Sequence, residues 1–397
     1  KVIFIASEKN ELIYKSEVLK PNNPTTHLEV KKNTDAFTMA SIYSNDEITK
    51  SKFYESIWGK RYRKYYGTKV KANNVDLDTL FGGLKPVRKG GGHQSKSLRL
   101  EDSEGREYVM RALRKNAEQF LQAVAFQTQY IEGQFEDTYS EGLVMDVFTG
   151  SHPYAPFTVE PMAKAIGVLH TKPRLYYIPK QKALQHFNVD FGDELYMIEE
   201  RAASGHGKKE NFGFSDKVIS TNDMLKKLNK NANSKIDEAA YIKARLFDMV
   251  LGDWDRHEDQ WRWAAFEKGD VTTYKPFPRD RDQVFSIMGD GALLNFITKA
   301  IPNLRLMQSY NEELATVKYF NFEPYPLDMA LINQADKEVW DAQVTFIQKN
   351  LTPDIISRAF KEMPVASQDD VWEGIQKDML SRKRVLNKII ARYYSNS

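Results

Sequence analysis

Acidic, basic and amide side chains crowd into Asp253-Trp-Asp-Arg-His-Glu-Asp-Gln260, and a second acidic pair, Asp280-Arg-Asp282, follows a hairpin-length spacer from Trp261 to Val271. Two carboxylate-bearing loops so joined can converge on one point. The chain has no cysteine and only 7 histidines, so hard oxygen donors select Mg²⁺ or Mn²⁺ over zinc. Mg²⁺ uses one or two protein carboxylates and completes its shell with water and substrate phosphates, which points to a nucleotide site. Phosphates also need cations and backbone N–H groups. Lys89, the run Gly90, Gly91 and Gly92, then Ser95 and Lys96 offer both, because glycine permits close backbone approach.

Trp254, Trp261 and Trp263 interleave with the first cluster and imply a partly desolvated setting, where an unpaired acid is costly. A structural reading competes: Arg256, Arg262, Arg279 and Arg281 neutralise Asp253, Asp255, Asp280 and Asp282 in an ion-pair network. His93, His152, His170 and His206 stand alone without metal-ligand spacing and read as hydrogen-bonded loop residues.

The elements that position these residues follow from periodicity. Ile242, Leu246, Met249 and Val250 lie at helical spacing from about Asp237 to Leu251, so the first acidic loop leaves a helix at the rim of a core. Pro276 and Pro278 exclude a helix and a central ladder position before Asp280, leaving an extended segment or loop. Around the glycines the pattern reads as strand, glycine loop, strand from Lys96 to Asp102, turn, and strand from Arg106 to Leu113. Asn116 then caps a helix from Ala117 to Tyr130 with Glu118 in its first turn. Glu194 to Glu200 is a further strand with acids at its end, and Asp190-Phe-Gly192 is the turn before it. Lys226 to Lys235 reads as a polar hinge. Past Asn303 the chain is largely helical, with Thr352 and Pro353 starting one helix and Ser367 a long one.

The 397 residues are 41% hydrophobic, 28% charged and 12% aromatic, enough for two or three packed cores. A net charge of +3 gives no reason to expect nucleic acid as a partner. No run approaches the roughly 18 apolar residues of a membrane span. Absence of cysteine excludes disulfides and thiol catalysis but leaves the compartment open. A start at Lys1 in strand-like sequence suggests a piece of something longer. Residues 1–50 carry short β-rich runs, including His27 to Val30, and read as the tail of a preceding domain. Residues 51–83 form an aromatic-basic linker whose rings and cations read as a docking segment rather than a single-strand binding surface.

The order of parts, from glycine loop to second acidic loop, is that of a protein-kinase-like nucleotide site. Asp255-Arg-His-Glu-Asp-Gln260 resembles the catalytic loop of the atypical kinases, the HipA-like, CotH spore-coat and secretory-pathway casein kinase families, in which a metal-binding side chain stands five positions after the Asp. Gly252-Asp-Trp-Asp255 is similar to their turn after a helix, and Asp280-Arg-Asp-Gln-Val-Phe285 to their second metal motif. More closely, the chain from about Trp58 onward resembles a kinase-like region of large Bacteroidota envelope proteins, which follows a metallophosphoesterase domain and precedes an outer-membrane β-barrel.

That resemblance implies an α+β, two-lobed protein-kinase-like fold with a β-rich N-lobe over 84–201 and a mostly helical C-lobe over 202–397. It implies ATP with Mg²⁺ or Mn²⁺ as cofactors. Asp255 would orient or deprotonate an acceptor hydroxyl, with Arg256 and His257 bracing its loop. Gln260 and either Asp280 or Asp282 would hold the metal. The glycines, Ser95, Lys96 and Glu199 would line the nucleotide, and either Arg111 or Lys115 would grip phosphate with Glu118 as partner. An Arg where such folds carry Lys alters the geometry of the grip. The expected function is therefore an ATP- and Mg²⁺-dependent phosphotransferase acting on an unknown protein or small-molecule acceptor of the cell envelope. Its rivals are a catalytically inactive scaffold among the domains or subunits of an outer-membrane assembly, and a metal-dependent phosphohydrolase using Asp253, Asp255, His257, Asp280 and Asp282.

Overall fold

Apolar and polar residues alternate along Ser95–Glu101 and Glu107–Lys115, and alternation places them on opposite faces of a strand. Leu98, Leu100, Tyr108, Met110 and Ala112 are buried on one face with Tyr196 and Ile198, which leaves Ser97, Arg99, Val109 and Arg111 for the other. In the computed structural model, residues 3–6, 12–15, 35–91, 94–117, 139–301 and 304–394 are described. The expected strand His27 to Val30, Gly92, and the expected helix beyond Ala117, Glu118 included, lie outside the described residues.

The chain divides into two units, Lys1–Lys32 and Asn33–Ser397. In the first, β1 (Ile3–Ala6) and β2 (Leu12–Lys15) pair antiparallel. The second contains a sheet built from β3 (Phe37–Ala40), β4 (Val70–Asn74), β5 (Lys85–Lys89), β6 (Ser95–Glu101), β7 (Glu107–Lys115), β8 (Arg174–Ile178) and β9 (Glu194–Glu200). Their order is β3-β4-β8-β9-β7-β6-β5. Strands from the segments read as 1–50 and 51–83 thus share one sheet with those of 84–201, because β3 bonds to β4 and β4 to β8. The turn at Asp190 to Gly192 precedes β9, with Gly192 at φ +107°.

Helices α1 (Asn45–Ile48), α2 (Lys52–Trp58) and α3 (Arg63–Gly67) connect β3 to β4. Arg63 donates to Asp146 of α4 (Tyr139–Phe148), and the Tyr62 hydroxyl donates to the Phe285 carbonyl at 2.6 Å. Arg61, Tyr62, Arg63, Tyr65 and Tyr66 of the aromatic-basic block are therefore packed into the unit, whereas Phe53 and Lys64 stay exposed.

Below the sheet come α5 (Pro156–Ala165), α6 (Thr221–Lys230) and α7 (Glu238–Leu251). A second sheet combines β10 (Val218–Ser220), β11 (Ser234–Ile236), β12 (Trp261–Lys268) and β13 (Val271–Pro278) in the order β10-β12-β13-β11. The run read as a hinge, Lys226 to Lys235, is the end of α6 followed by β11. Buried Met224, with Leu225 and Leu228 packed on the core, gives that lysine-rich stretch a helical face. Pro276 and Pro278 lie past the last β13 residue paired to β11, Tyr274, so their missing N–H groups cost no ladder bond there.

The remaining helices are α8 (Ala292–Ala300), α9 (Val317–Phe320), α10 (Tyr325–Ile332), α11 (Lys337–Asn350), α12 (Pro353–Phe360), α13 (Asp370–Arg384) and α14 (Leu386–Tyr394). Thr352 caps α12 through the Ile355 N–H at 3.3 Å. The last long helix starts from Asp369, which accepts from the Val371 N–H, rather than from Ser367, whose hydroxyl donates to the Pro364 carbonyl at 2.7 Å. The architecture is α+β and two-lobed, a sheet lobe over a largely helical one. Among the described residues no helix is long and apolar enough to cross a membrane.

Candidate active site

The face of the large sheet not used by its core opens onto a cavity of about 460 Å³. Ser97 lies opposite Arg111, Arg99 opposite Val109, and Val109 opposite Glu199, so β6, β7 and β9 present these side chains in adjacent rows. The facing wall comes from the loop after α7, with Asp255, His257, Asp259 and Gln260, and the loop after β13, with Arg279, Asp280 and Asp282.

Local folding explains why the two acidic loops meet. Gly252 ends α7 in the left-handed conformation at φ +70°, which turns the chain out of the helix. The β12–β13 hairpin pairs Trp261 with Pro278, so Gln260 and Arg279 fall side by side, and the Arg279 N–H donates to the Gln260 carbonyl at 3.0 Å. Asp280 adopts φ +58°, a region that Asp tolerates better than most side chains.

Beneath the cavity lies a buried charge frame. Arg281 donates to Asp248 and, at 2.7 Å, to Asp253. Arg256 donates to the carbonyls of Arg279 at 2.8 Å and Gln260 at 3.0 Å, bracing both loops at once. Burial pushes Asp253 up to about 6 against the pull of Arg256 and Arg281, and the Asp248 charge adds to the rise. Asp253 is fully buried and does not line the cavity. The ligand set of the phosphohydrolase reading is therefore not assembled. The neutralisation reading holds for Asp253, but not in its expected pairs for the cavity acids.

Those acids face cations of β7. Arg111 donates to Asp280, and Lys115 to Asp282 at 2.9 Å. Burial alone would raise the Asp280 carboxyl, but the Arg111 guanidinium outweighs it and holds the group down at about 2. Asp255 has no Lys or Arg ion-pair partner among the described residues. Burial, followed by the charges of Asp282, Asp253 and Asp280, pushes it up to about 7. His257 stands 3.8 Å from Asp255 and accepts from the Asp259 N–H, and burial lowers its proton affinity. It caps the short turn over Glu258–Gln260 rather than cross-linking the loops as Arg256 does.

The other anticipated residues separate. Gly91 and Ser95 line the cavity. Gly90 presses on β6, where a Cβ would come within 2.0 Å of Ser97 Oγ. Lys96 does not line the cavity, because it alternates to the opposite face of β6 between Ser95 and Ser97, which do. Glu199 lines it and accepts from the Thr171 hydroxyl, with burial raising its carboxyl. The sequence reading missed the lining residues Arg99, Thr171 and Arg201. Spacing of two along Ser95, Ser97 and Arg99 was the available signal for the first.

Among the described residues no three His, Asp or Glu side chains converge as a ready cation cage. The donor set nevertheless fits Mg²⁺, which needs only one or two carboxylates. Asp280 and Asp282 would supply them, and the buried Gln260 Oε1 has no hydrogen-bond partner among the described residues.

No protein-family model matches the chain, and no curated protein matches it. Solved structures do. The proinflammatory kinase CtkA of Helicobacter pylori matches 75% of this chain and 94% of its own at 10% identity and a TM-score of 0.36. HipA of Shewanella oneidensis MR-1, in its complex with HipB and operator DNA, covers 79% of this chain and 69% of its own, at 12% identity and a TM-score of 0.36. The Rio2 kinase of Chaetomium thermophilum, in a complex with ADP/Mg²⁺ and phosphoaspartate, covers 77% and 71%, at 12% identity and a TM-score of 0.34.

Proposed function

We propose that the cavity is a phosphotransfer site that takes a nucleoside triphosphate with Mg²⁺ and passes a phosphoryl group to an acceptor hydroxyl. The observation that carries this reading is the meeting of Asp255, Asp280 and Asp282, from two separate loops, with Arg111 and Lys115 across one cavity. Asp255 takes the acceptor proton: its affinity near neutrality and its freedom from Lys and Arg pairing suit a general base. Asp280 and Asp282, with Gln260, would hold Mg²⁺, which supplies charge neutralisation to the phosphate oxygens. Arg111 and Lys115 exchange their carboxylates for phosphate oxygens. Arg256 keeps the two loops in register through its paired carbonyl bonds. The proposed acceptor is an unknown protein or small molecule, and a cell-envelope setting beside an outer-membrane assembly is supported by the sequence resemblance alone.

A second reading, binding without turnover, has its own observation: Arg111 and Lys115 already engage both metal-site acids. Incubation with γ-labelled ATP and Mg²⁺ separates the two. Labelled product should fall by about 10² or more in Asp255→Asn, the scale of a lost general base, while nucleotide affinity stays within a few-fold. Nucleotide binding with no label transfer in either protein would favour the inactive module.

A further inference from the structure

Arg99 and Arg111 face the same cavity two residues apart in register, about 7 Å along the strands. Their surroundings differ. Arg111 is paired with Asp280, whereas Arg99 has neither an ion pair nor a side-chain hydrogen bond among the described residues. Arg279, reaching the cavity from the loop after β13, likewise has no ion pair among them. Arg201, just past β9, spends one nitrogen on Glu107 at 3.0 and 3.1 Å. The Nε of each of these three guanidiniums is buried without a hydrogen-bond partner among the described residues. Of the nearby acids, Glu199 is engaged with Thr171 and Glu200 with Lys209 at 2.9 Å, while Asp280 and Asp259 act on Arg279 and Glu107 acts on Arg99 through space without forming an ion pair with them.

Like charges held together in a partly desolvated place, with donors unused, are costly unless an anion arrives. Burial and then the charges of Arg201 and Arg279 push Arg99 down to about 10. A neutral ring at this end would leave the guanidiniums uncompensated, whereas phosphate oxygens accept from them in charge-assisted bonds.

We infer that Arg99, Arg201 and Arg279 form a second, metal-independent anion subsite, which takes a phosphate group of a polyphosphorylated ligand at the β9 end of the cavity. A chain of phosphates then lies against both these arginines and Arg111, which stands about 7 Å from Arg99 along the strands. This deepens the phosphotransfer reading by naming its substrate class, yet its test needs neither Mg²⁺ nor turnover.

Inorganic tripolyphosphate is titrated calorimetrically into the whole chain in EDTA, using wild type, Arg99→Gln, Arg279→Gln and Arg99→Lys. The expected result is millimolar or tighter binding to wild type, weakened about tenfold or more by either glutamine, as for lost hydrogen bonds to a charged group. Arg99→Lys should recover part of the affinity. Circular dichroism checks folding, and each Gln variant should melt no lower than wild type because it relieves repulsion. Absence of binding to wild type, or affinities of both folded Gln variants within twofold of wild type, overturns the subsite. Loss of tripolyphosphate binding in the variants without any label transfer from MgATP would remove the phosphotransfer reading and leave the subsite standing.

Discussion

Asp255 is held near pH 7 by burial and by the neighbouring acids, and this has a sign in both activity and stability. A base works when deprotonated, so phosphotransfer should rise with pH through a limb near 7 and flatten above it. The folded protein binds this proton more tightly than the unfolded chain, whose Asp titrates near about 4. The ionised form therefore destabilises the fold above 7, and the penalty fades as pH falls from 7 to about 4. Asp255→Asn should raise the melting temperature at pH 8, with the gain shrinking toward pH 4. An unchanged or lower melting temperature at pH 8 would contradict the assignment. Arg111 supports a second expectation: because it engages Asp280, Arg111→Gln should tighten Mg²⁺ binding measured without nucleotide and weaken nucleotide binding. Isothermal titration of each ligand reads both. Movement of the two affinities in the same direction would show that Arg111 does not mediate between acid and phosphate.

Two elements set the site, the C-terminal end of α7 and the β12–β13 hairpin. A Cβ on Gly252 would lie 2.5 Å from Tyr310 Cδ2, in a backbone conformation that L side chains rarely adopt. Gly252→Ala should therefore cost about 2–5 kcal/mol, from about 1–2 for left-handed backbone and about 1–3 for overpacking. Urea unfolding checks this, and a loss below about 1 kcal/mol would mean that the turn relaxes freely. The hairpin was legible as a spacer of the right length, since its strands carry their own punctuation. α7 was legible because its apolar residues recur at helical spacing with Asp237 before them, and Asp237 does accept from the Ala240 N–H at 2.9 Å. The stretch 226–235 was misread because lysines dominate it and its apolar face is only a few side chains wide.

At the scale of the molecule, the segment between β3 and β4 ties the sheet lobe to the second acidic loop. Asp146 gathers Arg61 and Arg63, all three buried, while Tyr62 reaches the Phe285 carbonyl. Asp146→Ala should destabilise by about 3–5 kcal/mol, because it leaves two buried guanidiniums without their anion. A loss under about 1 kcal/mol in denaturant titration would show that these arginines escape to water. Composition and periodicity by themselves determined the α+β character, the end of α7, the β9 strand and the two acidic loops, because each depends on residues close in the chain. Tertiary structure alone decided which acid meets which cation. Asp253 and Asp255 are two residues apart, yet one is sealed under Arg281 and the other faces the cavity, because pairing depends on distance in space. The same holds for Arg99, whose significance appears only once β6, β9 and the loop after β13 bring three guanidiniums to one end of a cavity.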